Sequence, residues 1–142
     1  MIAEIQDAIV ARLEEIAPPA RGDVAAWTGD PEELLSRPTR PGPPALWVIY
    51  QGADFEGRKV IGGAQARLDM DWLIVLAAHD LKSRNQGAET AYALIEAVRN
   101  KLKGWAAAGY GWLWPVKEDL IAAQGGTLVY GLQYRLNNVT IS

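Results

Sequence analysis

The order of apolar patterns along the chain predicts an α+β fold: a mostly antiparallel, four- to five-stranded sheet with two main helices packed on one face, and a long projecting strand or hairpin. Two observations predict it. Two segments of the 142 residues repeat apolar side chains at helical spacing. Other segments alternate apolar and polar side chains or are rich in β-branched and aromatic residues. The length of the chain predicts a single domain, residues 1–142.

An amphipathic helix is predicted at the N-terminus. Its apolar side chains recur every three or four residues: Ile2, Ile5, Ile9, Leu13 and Ile16. Pro18 and Pro19 end this helix. Because a lone helix of this length is marginal in water, we expect its isoleucine face to dock on the rest of the protein.

A connector follows, residues 18–44, which holds seven of the eight prolines. It contains too little apolar material for a second domain, so we expect it to belong to the single domain. Val24 to Trp27 is predicted as a short strand within it. Asp30, Pro31 and Glu33 form a helix start, with an N-cap and a proline at the first helical position.

Two strands are predicted next. Ala45 to Gln51 is a β-type run, and Gly52 to Gly63 is predicted as a loop or hairpin tip. Ala64 to Ala78 is predicted as the second strand, in which apolar and polar side chains alternate at first. We expect its first half to expose one face to water and its second half to be covered on both faces. Fully extended, this strand is about 50 Å long, whereas a compact chain of this size is about 37 Å across. The strand is therefore either broken by a β-bulge or projects as a two-stranded arm. Such an arm is only marginally stable alone, so we expect it to bind a partner.

The C-terminal half is predicted as a helix followed by a hairpin. The helix runs from Gly87 to Lys103, and Gly104 ends it. Its inward side chains follow one stripe: Ala88, Ala91, Tyr92, Ile95, Val98 and Leu102. Val116 to Ala123 and Thr127 to Asn137 are predicted as strands, joined by a turn at Gly125 and Gly126.

The composition excludes several classes of protein. The chain has no cysteine, one histidine and a formal net charge of −3. Without cysteine there is no disulfide scaffold, zinc finger, iron–sulfur cluster or thiol nucleophile, and one histidine excludes sites that need two imidazoles. The acidic balance argues against general phosphate binding. The N-terminus does not resemble a signal peptide, and the apolar runs are too short to span a membrane, so we expect a protein kept in a cytoplasm.

The C-terminal quarter is rich in aromatic side chains and poor in charge. Residues 105–142 hold six of the twelve aromatic side chains but four of the thirty-one charged ones, a composition typical of the centre of a protein interface. Tyr130 and Tyr134 alternate on a strand and are expected in the core. Trp112 and Trp114 lie in a loop-like, glycine-rich segment and are expected at an interface. We expect their joint replacement by alanine to weaken subunit assembly more than monomer folding.

One constellation could carry chemistry. Asp69 and Asp71 lie two apart on a strand, so both carboxylates leave the same face and could hold Mg²⁺ or exchange protons. His79 follows at the end of that strand. Arg67 on the same face favours a solvated, ion-paired surface instead. We therefore expect no catalytic, cofactor-binding or metal site, and a small metal-dependent enzyme using these side chains stays an alternative.

The order of these elements resembles a known family. The residues that carry the resemblance are Met1 to Ile9, Pro44 to Val48, Trp72 to Ala78, the following Arg84 to Leu94, and Leu128 to Tyr134 in the closing hairpin. In order and spacing they resemble the small tail proteins of Mu-like phages and prophages, taken to be tail terminators. The likeness covers most of the chain outside the connector, and its motifs are patterns of apolar and small residues.

The resemblance implies a structural role in virion assembly. Tail terminators form a six-membered ring on the head-proximal end of the tail tube, stop its growth, and present the surface to which head-completion proteins bind. It implies a homo-hexamer that contacts the tail tube protein and a head-completion protein, made in the host cytoplasm and located in the virion. Genomic DNA would pass through the lumen without specific binding, which suits an acidic subunit. A head–tail joining protein or a ligand-binding module of the same shape are the alternatives.

A ring of identical subunits needs two different contact faces on each subunit. We expect the long strand with its loop to provide one face and the aromatic segment to provide the other. The candidate interface residues are Phe55, Arg58, Lys59, Asp69, Asp71, Tyr110, Trp112 and Trp114.

Overall fold

The computed structural model of the chain describes residues 1–16, 24–26, 45–56, 66–79, 84–124 and 127–141. These residues form two helices and five strands in the following order: α1, Ile2–Glu14; β1, Val24–Ala26; β2, Ala45–Phe55; β3, Ala66–His79; α2, Arg84–Leu102; β4, Leu113–Gln124; and β5, Thr127–Ile141. The predicted helix start at Asp30 and the predicted turn at Gly125 and Gly126 lie outside the described residues.

The five strands form one sheet in the order β1-β2-β3-β5-β4. The last four pair in antiparallel fashion, and the short β1 pairs with β2 in parallel. This arrangement confirms the predicted α+β class and the mostly antiparallel sheet of four to five strands. It also places β3 at the centre of the sheet and β4 at one edge.

Both helices pack on the same face of the sheet, as predicted. From α1, the side chains of Ile5, Ile9 and Leu13 are fully buried in one core. Further members of this core come from α2 and from the facing side of the strands, among them Leu94, Val98, Leu102, Leu46, Met70, Trp72, Ile74, Leu132 and Leu136. Burying one Leu or Ile side chain stabilises a fold by about 1.5–3 kcal/mol, so the docking of α1 contributes to the stability of the whole domain.

Two positions predicted to face the core are exposed. Ile2 begins α1 and lies at the outer end of its apolar stripe. Tyr92 is 54% exposed, because it lies about 100° around α2 from the buried Ala91 and therefore on the flank of the helix. Its ring instead meets that of Tyr130 edge-on, with the ring centroids 6.5 Å apart.

The opposite face of the sheet carries a smaller apolar cluster. Ile49, Val75 and Val129 are buried there. Half-buried side chains pack around them, namely Trp47, Leu73, Ala77 and Ala122. Gly131 lies beneath the side chain of Ile121, so that a Cβ added at this glycine would come within 2.8 Å of the Ile121 Cδ1 atom. The prediction that the second half of β3 is covered on both faces is confirmed.

β-Bulges in its neighbours accompany the long central strand. β3 pairs with β2 on one side and with β5 on the other. The register shifts at Gly52 in β2 and near Asn138 in β5, where Asn138 has a φ of 59°. β3 itself runs unbroken from Ala66 to His79, so the alternative of a β-bulge that breaks this strand is wrong, and the bulges lie in its two partners. As far as Leu68, β3 pairs on both sides, so this part is a three-stranded sheet and not a two-stranded arm. The tip of the predicted projecting hairpin, residues 57–65, lies outside the described residues.

Two predicted boundaries between strand and loop were wrong. Gly52 does not end β2, because its φ of 139° accommodates the bulge and the strand continues to Phe55. β4 begins at Leu113 and not at Val116, so that Trp114 lies on a strand. The extra strand pairs extend the sheet toward the surface that carries the predicted interface residues.

Arg12 links α1 to the end of α2. Its Nε atom donates a hydrogen bond of 3.0 Å to the carbonyl oxygen of Lys101, and its guanidinium lies 5.5 Å from the ring centroid of Trp105. Glu15 accepts hydrogen bonds from both Arg12 and Lys101. Gly104 ends α2 with a φ of 71°, as predicted. These contacts fix the start of the segment that follows α2.

Candidate subunit interface

The segment between α2 and β4 forms a short hairpin that carries the predicted aromatic side chains. Its turn closes with a hydrogen bond of 3.0 Å from the Tyr110 N–H to the Ala107 carbonyl oxygen. The two central residues, Ala108 and Gly109, have positive φ angles of 51° and 77°, as a type I′ turn requires. The Tyr110 hydroxyl donates a 3.0 Å hydrogen bond to Glu4 of α1, which also raises the pKa of that phenol. The hairpin is thereby tied to the body of the protein.

This hairpin forms one wall of an open cleft of about 680 Å³, which we call the aromatic cleft. The cleft is lined by Asp69, Ala106, Gly109, Tyr110, Gly111, Trp112, Trp114, Asn137 and Asn138. The indole side chains of Trp112 and Trp114 are 60% and 46% exposed, whereas Leu113 between them is fully buried. Since successive side chains point to opposite sides of an extended chain, Leu113 anchors the segment in the core and the two indoles face outward.

The floor of the aromatic cleft is the bulge in β5. There the Asn138 N–H donates a 2.9 Å hydrogen bond to the Oδ1 atom of Asp69. Next to it, the Asn137 N–H donates a 3.4 Å hydrogen bond to the Trp112 carbonyl oxygen. A Cβ added at Gly111 would come within 2.7 Å of the Asn137 carbonyl oxygen, so the wall and the floor of the cleft meet through their backbones.

An ion-pair network lies beside the cleft on the same face of the sheet. Arg135 Nε donates to Asp71 Oδ1 at 2.9 Å, and its Nη2 atom donates to Asp71 Oδ2 and to Asp54 Oδ2, both at 3.3 Å. The hydrogen bonding and the charge of Asp71 raise the pKa of Arg135, against a smaller opposite effect of burial. Asp69 and Asp71 share one face, as predicted. Both oxygens of Asp71 are bound by Arg135, and Asp69 accepts the Asn138 N–H, which does not favour the alternative of a Mg²⁺ site held by the two carboxylates.

β4 forms an edge of the sheet, and among the described residues no strand pairs with its outer side. Exposed apolar side chains follow one another along this edge: Trp114, Val116, Leu120 and Ile121. Natural proteins usually protect a long edge with charge, proline or bulges. Here Pro115, the ion pair of Lys117 with Asp119, and two register shifts provide part of that protection. The edge still presents apolar surface that another chain could cover.

The structure brings together four of the eight predicted interface residues in the aromatic cleft, namely Asp69, Tyr110, Trp112 and Trp114. Phe55 is exposed and lines a neighbouring cleft of about 270 Å³ that also contains Asp69. Asp71 belongs to the ion-pair network. Arg58, Lys59 and the side chain of His79 lie outside the described residues. Tyr134 is buried in the core, as predicted, and Tyr130 is half-buried.

Sequence reasoning missed the asparagines of the cleft and the apolar edge of β4. The consecutive Asn137 and Asn138 were an available signal, because asparagine tolerates the left-handed conformation better than most residues. The exposure of Val116, Leu120 and Ile121 had no such signal. Their apolar character is the same as that of a central strand, and only the order of strands in the sheet shows that they lie at an edge.

The fold and these surfaces define a small α+β protein that presents aromatic and apolar surface suited to contact with other proteins. Within the described ranges, no three His, Asp or Glu side chains are placed to hold a metal ion together. Neither of the two described helices is long and apolar enough to cross a membrane.

The chain belongs to the phage tail terminator protein family, whose model matches residues 7–141. This match confirms the resemblance found in the sequence. It gives the protein a structural role in a phage tail and a place in the virion.

Among solved structures, the fold is similar to that of a chain in the virion of a native gene transfer agent particle. The TM-score is 0.63 at 18% sequence identity, and the similarity covers 97% of this chain and 96% of the other. At that identity the likeness concerns the fold alone. Among curated proteins, none matches the sequence.

Proposed function

We propose that the chain forms a homo-hexameric ring on the head-proximal end of the tail tube, stops its polymerisation, and provides the docking surface for head-completion proteins. The observation that carries this proposal is the exposed aromatic and apolar surface of the subunit. Exposed aromatic side chains grouped around a cleft are typical of a surface that contacts other proteins. In a member of the tail terminator family, such a surface is best explained by contacts in the assembled tail.

The outer edge of β4 is the proposed contact with the neighbouring subunit. Each subunit of a closed ring uses two different faces, one for each neighbour. The exposed side chains of Val116, Leu120 and Ile121 gain stability when a neighbour covers them, by about 25 cal/mol for each Å² of apolar area buried. The edge also carries free backbone donors and acceptors that a neighbouring chain could use.

The aromatic cleft is the proposed contact with the next protein along the tail, the tube protein or a head-completion protein. Tryptophan and tyrosine supply much of the binding energy in protein interfaces, and three of them line this cleft. The remaining predicted interface residues, Phe55, Arg58, Lys59 and Asp71, are proposed to extend this surface. Their place in the assembly follows from the sequence analysis alone.

We further propose that the protein has no catalytic activity and needs no cofactor. Asp71 is held by Arg135, and Asp69 accepts a backbone hydrogen bond. Neither carboxylate is arranged as a general acid or base beside a nucleophile. The net charge of −3 suits a ring through which genomic DNA passes without binding, since phosphate binding would require a basic lumen.

Light scattering and negative-stain electron microscopy of the purified chain at several concentrations, alone and with tail tubes, test the ring. We expect rings that cap one end of the tubes. A protein that stays monomeric at every concentration and never associates with tubes would contradict the proposal. Cross-linking in virions separates a terminator from a head–tail joining protein, because a terminator must contact the tube protein directly.

A further inference from the structure

The aromatic cleft contains a carboxylate that the ring itself does not explain. Oδ1 of Asp69 accepts the N–H of Asn138, and among the described residues Asp69 forms no ion pair. Arg135, by contrast, is shared: it forms salt bridges with Asp54 and Asp71 and interacts electrostatically with all three carboxylates. One guanidinium therefore faces three negative charges, and the part of this surface nearest the indoles keeps a negative charge.

We propose that the aromatic cleft binds an arginine or lysine side chain presented by another protein of the virion. Indole and phenol rings attract a cation placed over their faces, and a nearby carboxylate adds an ionic contact. Trp112, Trp114 and Tyr110 provide the rings, and Asp69 provides the carboxylate. The fold makes one contact of this kind already, since the Arg12 guanidinium lies 5.5 Å from the ring centroid of Trp105. The volume of the cleft, about 680 Å³, admits a long side chain.

On the described side chains, we assign the basic side chain to a different protein and not to a neighbouring copy. Among the described side chains, Arg67 and Lys103 are the exposed basic groups that form no ion pair. Arg67 lies two residues from Asp69 on the same strand, and Lys103 directly precedes the segment that forms the wall of the cleft. Both therefore lie near the cleft of their own subunit, since Gly104, next to Lys103, donates a hydrogen bond to the carbonyl oxygen of Leu113. A head-to-tail neighbour presents a different face, and so does not bring them to the cleft. The assignment of this side chain to another virion protein rests on the proposed function, whereas the affinity of the cleft for a basic side chain does not.

The first experiment titrates N-acetyl-arginine amide into the full chain labelled with 5-fluorotryptophan and follows the ¹⁹F NMR signals. We expect saturable shifts confined to the signals of Trp112 and Trp114, and no shift with N-acetyl-glutamine amide. Asp69→Asn keeps an oxygen for the Asn138 N–H but removes the charge, so it should weaken the apparent Kd by about fivefold. Asp119→Asn is the matched control, because Asp119 is an exposed carboxylate outside the cleft, and it should leave the Kd unchanged. Shifts that do not saturate, or that Asp69→Asn leaves unchanged, would overturn the proposal.

A second measurement separates this proposal from the ring. Light scattering of the Asp69→Asn variant should show the same assembly as the unsubstituted chain, because the cleft is assigned to another protein. If Asp69→Asn abolishes the ring, the occupant is a second copy and the assigned source is wrong. If the unsubstituted chain forms no ring at all, the ring proposal fails, while the titration still decides whether the cleft binds a basic side chain.

Discussion

The N–H of Asn138 donates a hydrogen bond of 2.9 Å to Asp69, across the strand pair that forms the floor of the aromatic cleft. Asn138 holds a left-handed φ of 59° at the bulge of β5. The bulge inserts an extra residue into β5 and aims Asn137 and Asn138 at the cleft. The carboxylate of β3 therefore both supports the bulge and shapes the surface beside the indoles.

Substitutions at Asn138 should separate the effect of its left-handed backbone conformation on stability from the effect of its side chain. Asn138→Gly should leave the free energy of unfolding unchanged or slightly raised, because glycine adopts a positive φ without strain. Asn138→Val should lower it by about 1–2 kcal/mol, because a β-branched residue is strained in this conformation. Urea denaturation followed by tryptophan fluorescence measures both. Equal stability of the two variants would show that the bulge does not depend on the left-handed conformation.

The sequence was sufficient for the class of fold because the core depends on simple periodicity. The isoleucine stripe of α1 and the alternation of β3 each predicted which side chains are buried, and Ile9 and Ile74 are fully buried accordingly. The prediction that Tyr92 faces the core was wrong, because a side chain 100° from the centre of a helical stripe can be either buried or exposed. The ring of Tyr92 contacts that of Tyr130 in β5, and a contact between distant segments is not visible in a local pattern.

The aromatic cleft could be predicted only in part. The excess of aromatic over charged residues identified Trp112 and Trp114 as outward-facing, but it did not show that Asp69 would lie beside them. That juxtaposition depends on β3 and β4 both pairing with β5, which brings together Asp69 and Trp112 although they lie 43 residues apart in the sequence. The turn at Ala108 and Gly109 could not be predicted either, because Ala108 takes a left-handed conformation that asparagine or glycine usually adopts.

Removing the Tyr134 hydroxyl should change how stability depends on pH. Within the described part of the chain the phenol is buried without a hydrogen-bond partner, and its burial, aided by the charge of Glu118 and opposed by that of Arg99, raises its pKa. A raised folded-state pKa gives stability that is fully present below the unfolded pKa of about 10 and is lost as the pH rises toward the folded value. In that range one such tyrosine lowers the free energy of unfolding by about 1.4 kcal/mol per pH unit.

Tyr134→Phe should therefore be neutral or stabilising at pH 7, since it removes an unpaired buried hydroxyl, and should reduce the loss of stability at alkaline pH. Urea denaturation of both proteins at pH 8 to 11 measures the difference. The unsubstituted chain is the reference, because every other titratable group is common to both proteins. Identical slopes above pH 10 would contradict the prediction.

Gly111→Ala should loosen the aromatic cleft. The added methyl group would meet the Asn137 carbonyl oxygen at 2.7 Å, and a backbone atom cannot move aside as a flexible side chain can. We expect a loss of about 1–3 kcal/mol in stability, the usual cost of overpacking, together with shifted ¹⁹F signals of Trp112 and Trp114. Gly109→Ala is a control of a different kind. A Cβ at Gly109 contacts no atom within 4 Å, whereas the φ of 77° is unfavourable for alanine. A Gly111→Ala protein with unchanged stability and spectra would show that the hairpin is free to move from β5.

Charges placed on the outer edge of β4 should prevent ring formation without unfolding the subunit. Val116→Lys and Leu120→Lys replace exposed side chains, so we expect the stability of the monomer to change by no more than about 0.5 kcal/mol each. Light scattering should show the loss of the ring, because a neighbour would have to bury the ammonium groups. Ile2→Lys is the matched control, an exposed apolar position on α1. If the control disrupts the ring and the β4 variants do not, the subunit contact lies on the other side of the molecule.

Trp112→Ala and Trp114→Ala together should weaken assembly with the next protein along the tail more than folding. Both indoles are mostly or half exposed, so their removal costs the monomer little packing, whereas an interface that buries them loses about 2 kcal/mol or more for each. Trp105→Ala provides the contrast, because Trp105 packs against the core and lies under Arg12. It should lower the melting temperature while leaving assembly of the folded fraction intact. Thermal denaturation, and negative-stain microscopy of each of the three proteins with tail tubes, decide the matter. A double variant that melts early and is lost from the soluble fraction would place the two indoles in the core and not at an interface.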